Sequence, residues 1–442
     1  MTRGLIIAAP ASGSGKTLVT LGLLRRLRAA GVAVASAKVG PDYIDGAFHR
    51  AAGGRACFNL DTWAMRPATV RAIIARGGEG AELLLAEGVM GLFDGAPTDE
   101  AGPDGSTADL AAATGWPVLL VVDARGTGAS AAALVQGYAG FRDGVDVAGV
   151  IFNRIGGPGH GEILRRACRP LGIPVLGALP RRAELDLPDR HLGLVQAGEH
   201  GDLEAFLDRA AAWIGDAVDV DALLALARPA AVPGGSEAAT LAALPPLGQR
   251  IAVARDTAFA FAYPHVLEGW RTAGAEVLPF SPLADEAPDA GADAVFLPGG
   301  YPELHAGRLA AAGRFGAGLR RLAEDGAFVY GECGGYMALG RGLEDAQGER
   351  HAMLGLLPLE TSFGSPRMTL GYRQATLSAA GPLGQAGAGF RGHEFHFARL
   401  LGDEGGSPLF VCRDARGREL GPAGGRRGNV MGSFLHLVDR AG

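Results

Sequence analysis

Short apolar runs alternate with stretches of helical spacing from the start of the chain. Leu5–Ala9 is apolar throughout and reads as a strand. From Thr17 to Ala30 the apolar positions instead recur at helical spacing, with Arg25, Arg26 and Arg28 on a basic, exposed face. Val32–Ala37, Leu83–Ala86, Val118–Val122, Val147–Phe152 and Val175–Leu179 are further strand candidates, separated by lengths that suit crossover helices. A run that is apolar at every position has both faces buried, as in a parallel sheet between two helix layers. The pattern predicts an open, mostly parallel α/β sheet, with ligands at the carboxyl ends of its strands.

From about Asp216 to Arg250 the character changes. Ala230-Ala231-Val232-Pro233-Gly234-Gly235-Ser236 and Leu244-Pro245-Pro246-Leu247-Gly248 have the Pro/Gly content of an interdomain linker. A second α/β pattern then starts afresh with Ile251–Ala254, a helix around His265–Ala273, Glu276–Phe280, Ala294–Leu297 and Ala327–Tyr330. No repeat of solenoid length is present. The expectation is two different α/β domains, residues 1–215 and 249–442, joined by a linker region at 216–248.

Composition narrows the function classes. At 442 residues, with 48% hydrophobic and 20% charged positions, the chain has material for large cores. Glycine, at 71 residues, is in excess, yet it follows no Gly-X-Y period and the apolar content is too high for disorder. A net charge of −6 argues against a polyanion-binding surface, so no nucleic-acid partner is expected, although a local basic cleft for an acidic small molecule fits. Cys57, Cys168, Cys333 and Cys412 are far apart, with no CxxC pair for zinc and no disulfide framework. Apolar runs such as Trp116–Val122 fall well short of the roughly 20 residues that span a bilayer, so no membrane association is expected. Arg3 and Leu5–Ala9 weakly imitate a signal peptide but lead into a Gly-rich loop, which reads better as a buried first strand. The expected setting is cytoplasmic.

That loop carries the first candidate chemistry. Pro10-Ala11-Ser12-Gly13-Ser14-Gly15-Lys16-Thr17 lies between strand and helix. Glycines let backbone N–H groups wrap phosphate oxygens, the helix N-terminus adds its positive dipole end, Lys16 reaches the outer phosphates and the Thr17 hydroxyl can ligate Mg²⁺. Pro10 stands where the usual pattern has its first Gly. The bland alternative is an ordinary strand-to-helix turn. Ser12, Gly13, Ser14, Gly15, Lys16 and Thr17 are the candidate ATP-binding residues, with Asn153, after the strand ending at Phe152, as a contact to base or phosphate. Glu87 ends an apolar strand where a Mg²⁺ ligand is expected, Asp45 is a second candidate ligand, and Asp94 lies on the following loop. Lys38, Asp42 and Tyr43, in Lys38-Val39-Gly40-Pro41-Asp42-Tyr43-Ile44-Asp45, complete the candidate substrate and phosphoryl-transfer residues. Carboxylates also serve solvated turns, and that reading stands beside the functional one.

The second centre is Gly331-Glu332-Cys333-Gly334-Gly335, between the strand Phe328-Val329-Tyr330 and a helix-like run. Small flanking residues permit the tight turn that exposes a nucleophile and aims the following N–H groups at an oxyanion. A buried structural cysteine would not require glycines on both sides. Gly334 and Gly300, the latter in Leu297-Pro298-Gly299-Gly300-Tyr301-Pro302, are candidate oxyanion donors. For the base, His436 competes with the histidines of Gly392-His393-Glu394-Phe395-His396, and spacing alone leaves both open.

In this order, the motifs resemble the glutamine-hydrolysing corrinoid amidase family, and within it the cobyrinic or hydrogenobyrinic acid a,c-diamide synthases. The resemblance covers nearly the whole chain, including also Arg190-His191-Leu192-Gly193-Leu194, Pro282-Leu283-Ala284-Asp285 and Gly428-Asn429-Val430-Met431-Gly432-Ser433-Phe434-Leu435-His436. It implies a dethiobiotin-synthetase-type first half and a class I glutaminase second half. It assigns Cys333 as nucleophile and His436 as base. Many class I glutaminases carry Glu two residues past that His; here the position is Val438, so the third member is missing or supplied elsewhere, Asp439 being one candidate. The Asp-Tyr-Ile-Asp loop favours the a,c-diamide enzymes over cobyric acid synthase.

The implied reaction is amidation of the a and c carboxylates of a corrinoid polycarboxylate, with ATP as co-substrate, Mg²⁺ as cofactor and glutamine as amide donor. An acyl phosphate solves the problem that carboxylate hydroxide is a poor leaving group. A homodimer remains open. The rivals are cobyric acid synthase or another tetrapyrrole amidase and, from a different class, a partitioning-type switch ATPase with a regulatory glutaminase-like module.

Overall fold

The computed structural model describes residues 2–99, 102–185, 189–190, 193–231, 241–403 and 406–441. His191 and Leu192, at the centre of the Arg190–Leu194 motif, and Val232–Ser236 of the linker lie outside the described residues. The chain divides into two compact units. Unit 1 comprises Met1–Trp63, Val70–Ala96 and Gly102–Ala239; unit 2 comprises Ala64–Thr69, Pro97–Ala101 and Thr240–Gly442. Among the described residues no helix is long and apolar enough to cross a membrane.

Unit 1 alternates strands and helices: β1 (Arg3–Ala8), α1 (Lys16–Ala29), β2 (Val34–Val39), α2 (Asp45–Gly53), β3 (Cys57–Leu60), α3 (Pro67–Gly77, of which unit 1 holds the part from Val70), β4 (Leu83–Glu87), α4 (Thr107–Thr114), β5 (Val118–Asp123), α5 (Ala131–Gly140), β6 (Val147–Ile155), α6 (Pro158–Cys168), β7 (Val175–Pro180) and α7 (Leu203–Ala217). The sheet runs β3-β2-β4-β1-β5-β6-β7, all parallel, with the short strand Arg228–Pro229 added antiparallel to β1. β2 and β4 are buried at every position, which is why they lack polar alternation. The strand β3 escapes the sequence pattern because Cys57-Phe58-Asn59-Leu60 is short and contains a polar residue.

Parallel register does the positioning. Lys38 pairs with Glu87 on one side and with Asn59 on the other, and Asp123 pairs with Asn153. Polar residues from different strands therefore reach the same carboxyl edge. Behind it, Leu23, Leu24 and Leu27 of α1 are wholly buried, each worth about 2–5 kcal/mol against Ala. Gly22 allows α1 to meet α7 closely, since a Cβ there would sit 2.8 Å from the Ala210 carbonyl oxygen.

Unit 2 opens with a second parallel sheet, in the order Glu276–Phe280, Arg250–Ala254, Ala294–Leu297, Phe328–Glu332, Val430–Ser433, closed by antiparallel Gly425–Arg427. It also holds more β-structure than the second α/β pattern leads one to expect. Thr369–Leu377, Gly389–His396, Phe410–Asp414, Glu419–Ala423 and Leu435–Arg440 form an antiparallel five-stranded sheet, and four further strands form another. The chain leaves the parallel sheet at Ser433 and enters the antiparallel one at Leu435. That change of sheet carries His436 to the end of the Phe328–Glu332 strand.

Candidate functional site

In unit 1 the loop after β1 and the start of α1 form a cradle. Gly13 (φ 76°) and Gly15 (φ 93°) occupy left-handed backbone conformations that disfavour side chains. At Gly15 a Cβ would lie 2.2 Å from Asn153 Nδ2, which itself donates to the Ser14 carbonyl oxygen at 2.9 Å. Arg154, also at positive φ (58°), donates to the Gly13 carbonyl at 2.7 Å and to Asp123 at 2.7 Å. Asn153 and Arg154 thus shape the loop from the end of β6. Ser12 and Gly13 are exposed at its rim, and Ser14 donates to the Ala11 carbonyl at 2.8 Å. Lys16 donates to the carbonyl of Met90 at 2.6 Å, a residue held at φ 48°.

A buried charge cluster lies at the adjoining strand ends. Glu87 is 0% exposed, and its Oε1 accepts from Thr17 Oγ1 at 2.6 Å and from Lys38 Nζ at 3.0 Å. Lys38 also donates to Asp45 Oδ2 at 2.5 Å. The other Glu87 oxygen meets His49 Nε2 at 2.6 Å, and His49 Nδ1 lies 3.4 Å from Cys57 Sγ. Burial alone would lower the Lys38 pKa, but Asp45, Glu87 and Asp42 outweigh it and hold the ammonium above the ordinary lysine value. Burial likewise opposes ionisation of Glu87, yet Lys38, His49 and Thr17 keep its carboxyl below the usual range. Asp45 is pushed up, by burial first and then by repulsion from Asp42. Burial pushes Lys16 down to about 8 despite attraction from Glu87.

The structure therefore brings Lys16, Thr17, Lys38, Asp45 and Glu87 into one neighbourhood. Asp42, Tyr43 and Asp94 stand differently. One Asp42 oxygen accepts from the backbone N–H groups of Ile44 and Asp45, at 2.8 and 3.2 Å, shaping the turn into α2. Tyr43 is half-buried on the same turn. Asp94 is exposed and closes a turn by accepting from Gly91 N–H at 2.8 Å. His49 is the member that the sequence reading missed. Its signal was available: it follows Asp45 by four residues on α2, the spacing that puts two side chains on one helix face.

In unit 2, Cys333 has φ 47° and ψ −107°, between the strand Phe328–Glu332 and the helix Gly334–Leu339. Few L-residues adopt this conformation, and it marks a nucleophile elbow. The flanking glycines are sterically required. A Cβ at Gly335 would lie 1.9 Å from the Leu297 carbonyl oxygen, and one at Gly334 would lie 3.0 Å from Gly300 N. Gly300 is equally constrained, its Cβ position falling 2.0 Å from the Ala258 carbonyl oxygen. The backbone N–H groups of Gly300 and Gly334 thereby share one small region beside Cys333. A Cβ placed on Gly299 would come within 3.1 Å of His436 Nε2 and 3.3 Å of Cys333 Cβ, so the imidazole and the cysteine converge across that glycine.

Here burial, not ion pairing, sets protonation. It pushes the Cys333 thiol far up, with Glu303 adding repulsion. His436, 0% exposed, is pushed down to about 3 by burial, His393 and His396. Glu332 is pushed up to about 8 by burial, against hydrogen bonds from Leu437 N–H and Tyr330 O–H. Asp439 is directed elsewhere: its carboxylate takes Arg66 Nη2 at 2.7 Å and the Arg66 backbone N–H at 2.8 Å. Of the competing histidines, His396 stacks on Phe434 with centroids 4.0 Å apart and meets Glu394 at 3.1 Å. Beside them a cavity of about 580 Å³ is lined by Tyr336, Glu394, His396, Phe434, Arg367 and Arg399, among others.

Known proteins fit both centres. Residues 5–195 match the CobQ/CobB/MinD/ParA nucleotide binding domain, and residues 250–441 the CobB/CobQ-like glutamine amidotransferase domain. The chain is 56% identical over 440 residues to the hydrogenobyrinate a,c-diamide synthase of Rhizobium meliloti (strain 1021), covering 99% of each chain. It is 55% identical over 442 residues to the enzyme of that name from Brucella anthropi, covering 100% of this chain and 99% of the relative. With a nucleotide-binding domain and a glutamine amidotransferase domain in the same order, and this identity over its full length, the chain belongs to the hydrogenobyrinate a,c-diamide synthase family.

Proposed function

We propose that this chain is an ATP- and glutamine-dependent ligase that amidates the a and c side-chain carboxylates of hydrogenobyrinic acid in cobalamin biosynthesis. The observation that carries this reading is the union, in a chain alike over its whole length to such synthases, of a phosphate-loop centre and a cysteine elbow. Each centre supplies half of an amide synthesis. The switch-ATPase alternative would make the second centre a regulatory module, without a part in an amide synthesis.

At the first centre the loop Gly13–Thr17 would hold the ATP phosphates through backbone N–H groups and the α1 N-terminus, with Lys16 on the outer phosphates. The substrate carboxylate attacks the γ-phosphorus, ADP leaves, and the resulting acyl phosphate gives ammonia a carbonyl with phosphate as leaving group. Thr17, Glu87 and Asp45 offer the oxygen donors that a hard cation requires, and these would hold Mg²⁺. Bound there, Mg²⁺ would neutralise phosphate charge. Lys38 lies among the same carboxylates and adds positive charge toward the transferring group.

At the second centre the Cys333 sulfur attacks the side-chain amide carbon of glutamine. His436 takes the thiol proton and passes it to the departing ammonia; water then cleaves the thioester to glutamate. Gly300 and Gly334 N–H groups face the developing oxyanion. The cavity at Glu394, Arg367 and Arg399 offers charges of both signs for the amino-acid head of glutamine. The four cysteines are buried and form no disulfide, which supports a cytoplasmic setting.

Mass spectrometry of products from Mg-ATP, glutamine and hydrogenobyrinic acid, run beside the cobalt-containing acid, tests the reading. The expected result is two added amides on the metal-free substrate, lost in Cys333→Ala with glutamine and restored by ammonia. ATP hydrolysis indifferent to glutamine, with no amide formed on either acid, would move the assignment to the switch ATPase. Four amides on a diamide substrate would instead indicate cobyric acid synthase.

A further inference from the structure

Class I glutaminases commonly orient their histidine with a carboxylate two residues beyond it, and Val438 occupies that position here. Asp439, the adjacent carboxylate, is held by Arg66. A different carboxylate faces the ring. Glu332 Oε2 lies 3.9 Å from His436 Nδ1, with both side chains buried. The other oxygen, Oε1, accepts from Leu437 N–H at 3.1 Å and from the Tyr330 hydroxyl at 3.1 Å. Two fixed donors on Oε1 lock the carboxyl plane and leave Oε2 aimed at the imidazole. One of those donors belongs to the residue after His436, so the same backbone segment holds both partners.

We propose that Glu332, the residue immediately before the nucleophile, is the positioning residue of His436, supplying from the cysteine's own strand the carboxylate absent at Val438. As a carboxylate, Glu332 accepts a hydrogen bond from Nδ1–H, keeps Nε2 unprotonated toward Cys333, and offsets the imidazolium that forms when the thiol proton moves to Nε2. The proton then leaves with ammonia, and the Nδ1–H···Oε2 contact persists throughout. At 3.9 Å the pair is longer than a hydrogen bond, and catalytic hydrogen bonds commonly tighten when substrate binds. This inference rests on the glutaminase reading of the same centre.

The experiment measures glutamate release from glutamine between pH 6 and 10 for the full chain, Glu332→Gln and Glu332→Asp. Ammonia-driven amidation is measured on the same preparations. In Glu332→Gln the side-chain amide donates to Nδ1 and holds the proton on the wrong nitrogen, so glutaminase kcat is expected to fall about 100-fold. KM for glutamine and ammonia-driven amidation should change less than threefold. Glu332→Asp, which keeps a carboxylate, should recover at least tenfold over Glu332→Gln.

The rise in kcat with pH that accompanies Glu332 ionisation should be missing from Glu332→Gln. Cys333, Tyr330, Tyr263, His393 and His396 also face this pair and are unchanged in both variants. Glutaminase within threefold of the parent in Glu332→Gln, or Glu332→Asp no better than Glu332→Gln, would overturn the proposal. Equal loss of the ammonia-driven reaction would assign Glu332 to the fold and overturn it as well. Because glutamate is read directly, a parent that hydrolyses glutamine but amidates no corrinoid sinks the ligase reading alone.

Discussion

The phosphate-loop centre and the cysteine centre bury ionisable groups in opposite ways. In the first, Lys38, Asp45, His49 and Glu87 are in direct contact, and each charge has an opposite charge within 3.0 Å. Pairing outweighs burial for Lys38 and Glu87, which are both held in their charged forms, while burial and Asp42 push Asp45 up. In the second, Cys333, His436 and Glu332 lie close but make no contact of that strength, and burial wins: each is driven toward its neutral form. The contrast suits the chemistry. Phosphoryl transfer needs fixed charge before substrate arrives, whereas a thiol that burial holds protonated is a poor target for oxidation.

The comparison can be broken from either side. The largest effect is expected from Lys16→Ala, which should lower both glutamine-driven and ammonia-driven amidation about 1,000-fold while ATP-independent glutamate release persists. Parallel assays of both reactions on one preparation check it; equal loss of glutamate release would contradict separate centres. Next comes Glu87→Gln, which removes the shared partner of Lys38, His49 and Thr17. It should destabilise the protein by about 3 kcal/mol, read as a lower unfolding midpoint in urea. A surface carboxylate changed in the same way should move that midpoint little.

The smallest effect sharpens the second centre. The folded-state pKa of Glu332, about 8, lies above its ordinary value of 4.5, so its contribution to stability is complete below pH 4.5 and is lost as pH rises through 8. For His436 the folded value, about 3, lies below 6.5; its contribution is complete above pH 6.5 and is lost as pH falls toward 3. Glu332→Gln should therefore flatten the fall in melting temperature between pH 5 and 8, by a few degrees. An unchanged slope would mean that Glu332 is not the group responsible.

Much of this architecture was legible in residue order. Strands apolar on both faces announced a parallel sheet, and β1, β4, β5, β6 and β7 lie within three residues of their expected ends. The Gly-Lys-Thr loop and the Gly-Glu-Cys-Gly-Gly elbow were legible because each is local: steric demand and chemistry fall within a few consecutive residues. The strands between Gly342 and Arg440 were not, because their pattern is one of partial exposure, broken by glycines and register shifts. The short β3 carries too few residues to declare a period.

By itself the sequence determined the two kinds of centre, their order, and the family, since those rest on short motifs whose physics is self-contained. Only the tertiary structure decided which partners complete them. Lys38, Glu87 and Asn59 come together through parallel register, and His49 through the face of α2. Glu332 and His436 are 104 positions apart in the chain and meet because Val430–Ser433 pairs beside the nucleophile strand. Asp439, only three residues beyond His436, was claimed by Arg66. A carboxylate's role depends on which charge its strand carries it to, and strand pairing across hundreds of residues is a property of the folded chain.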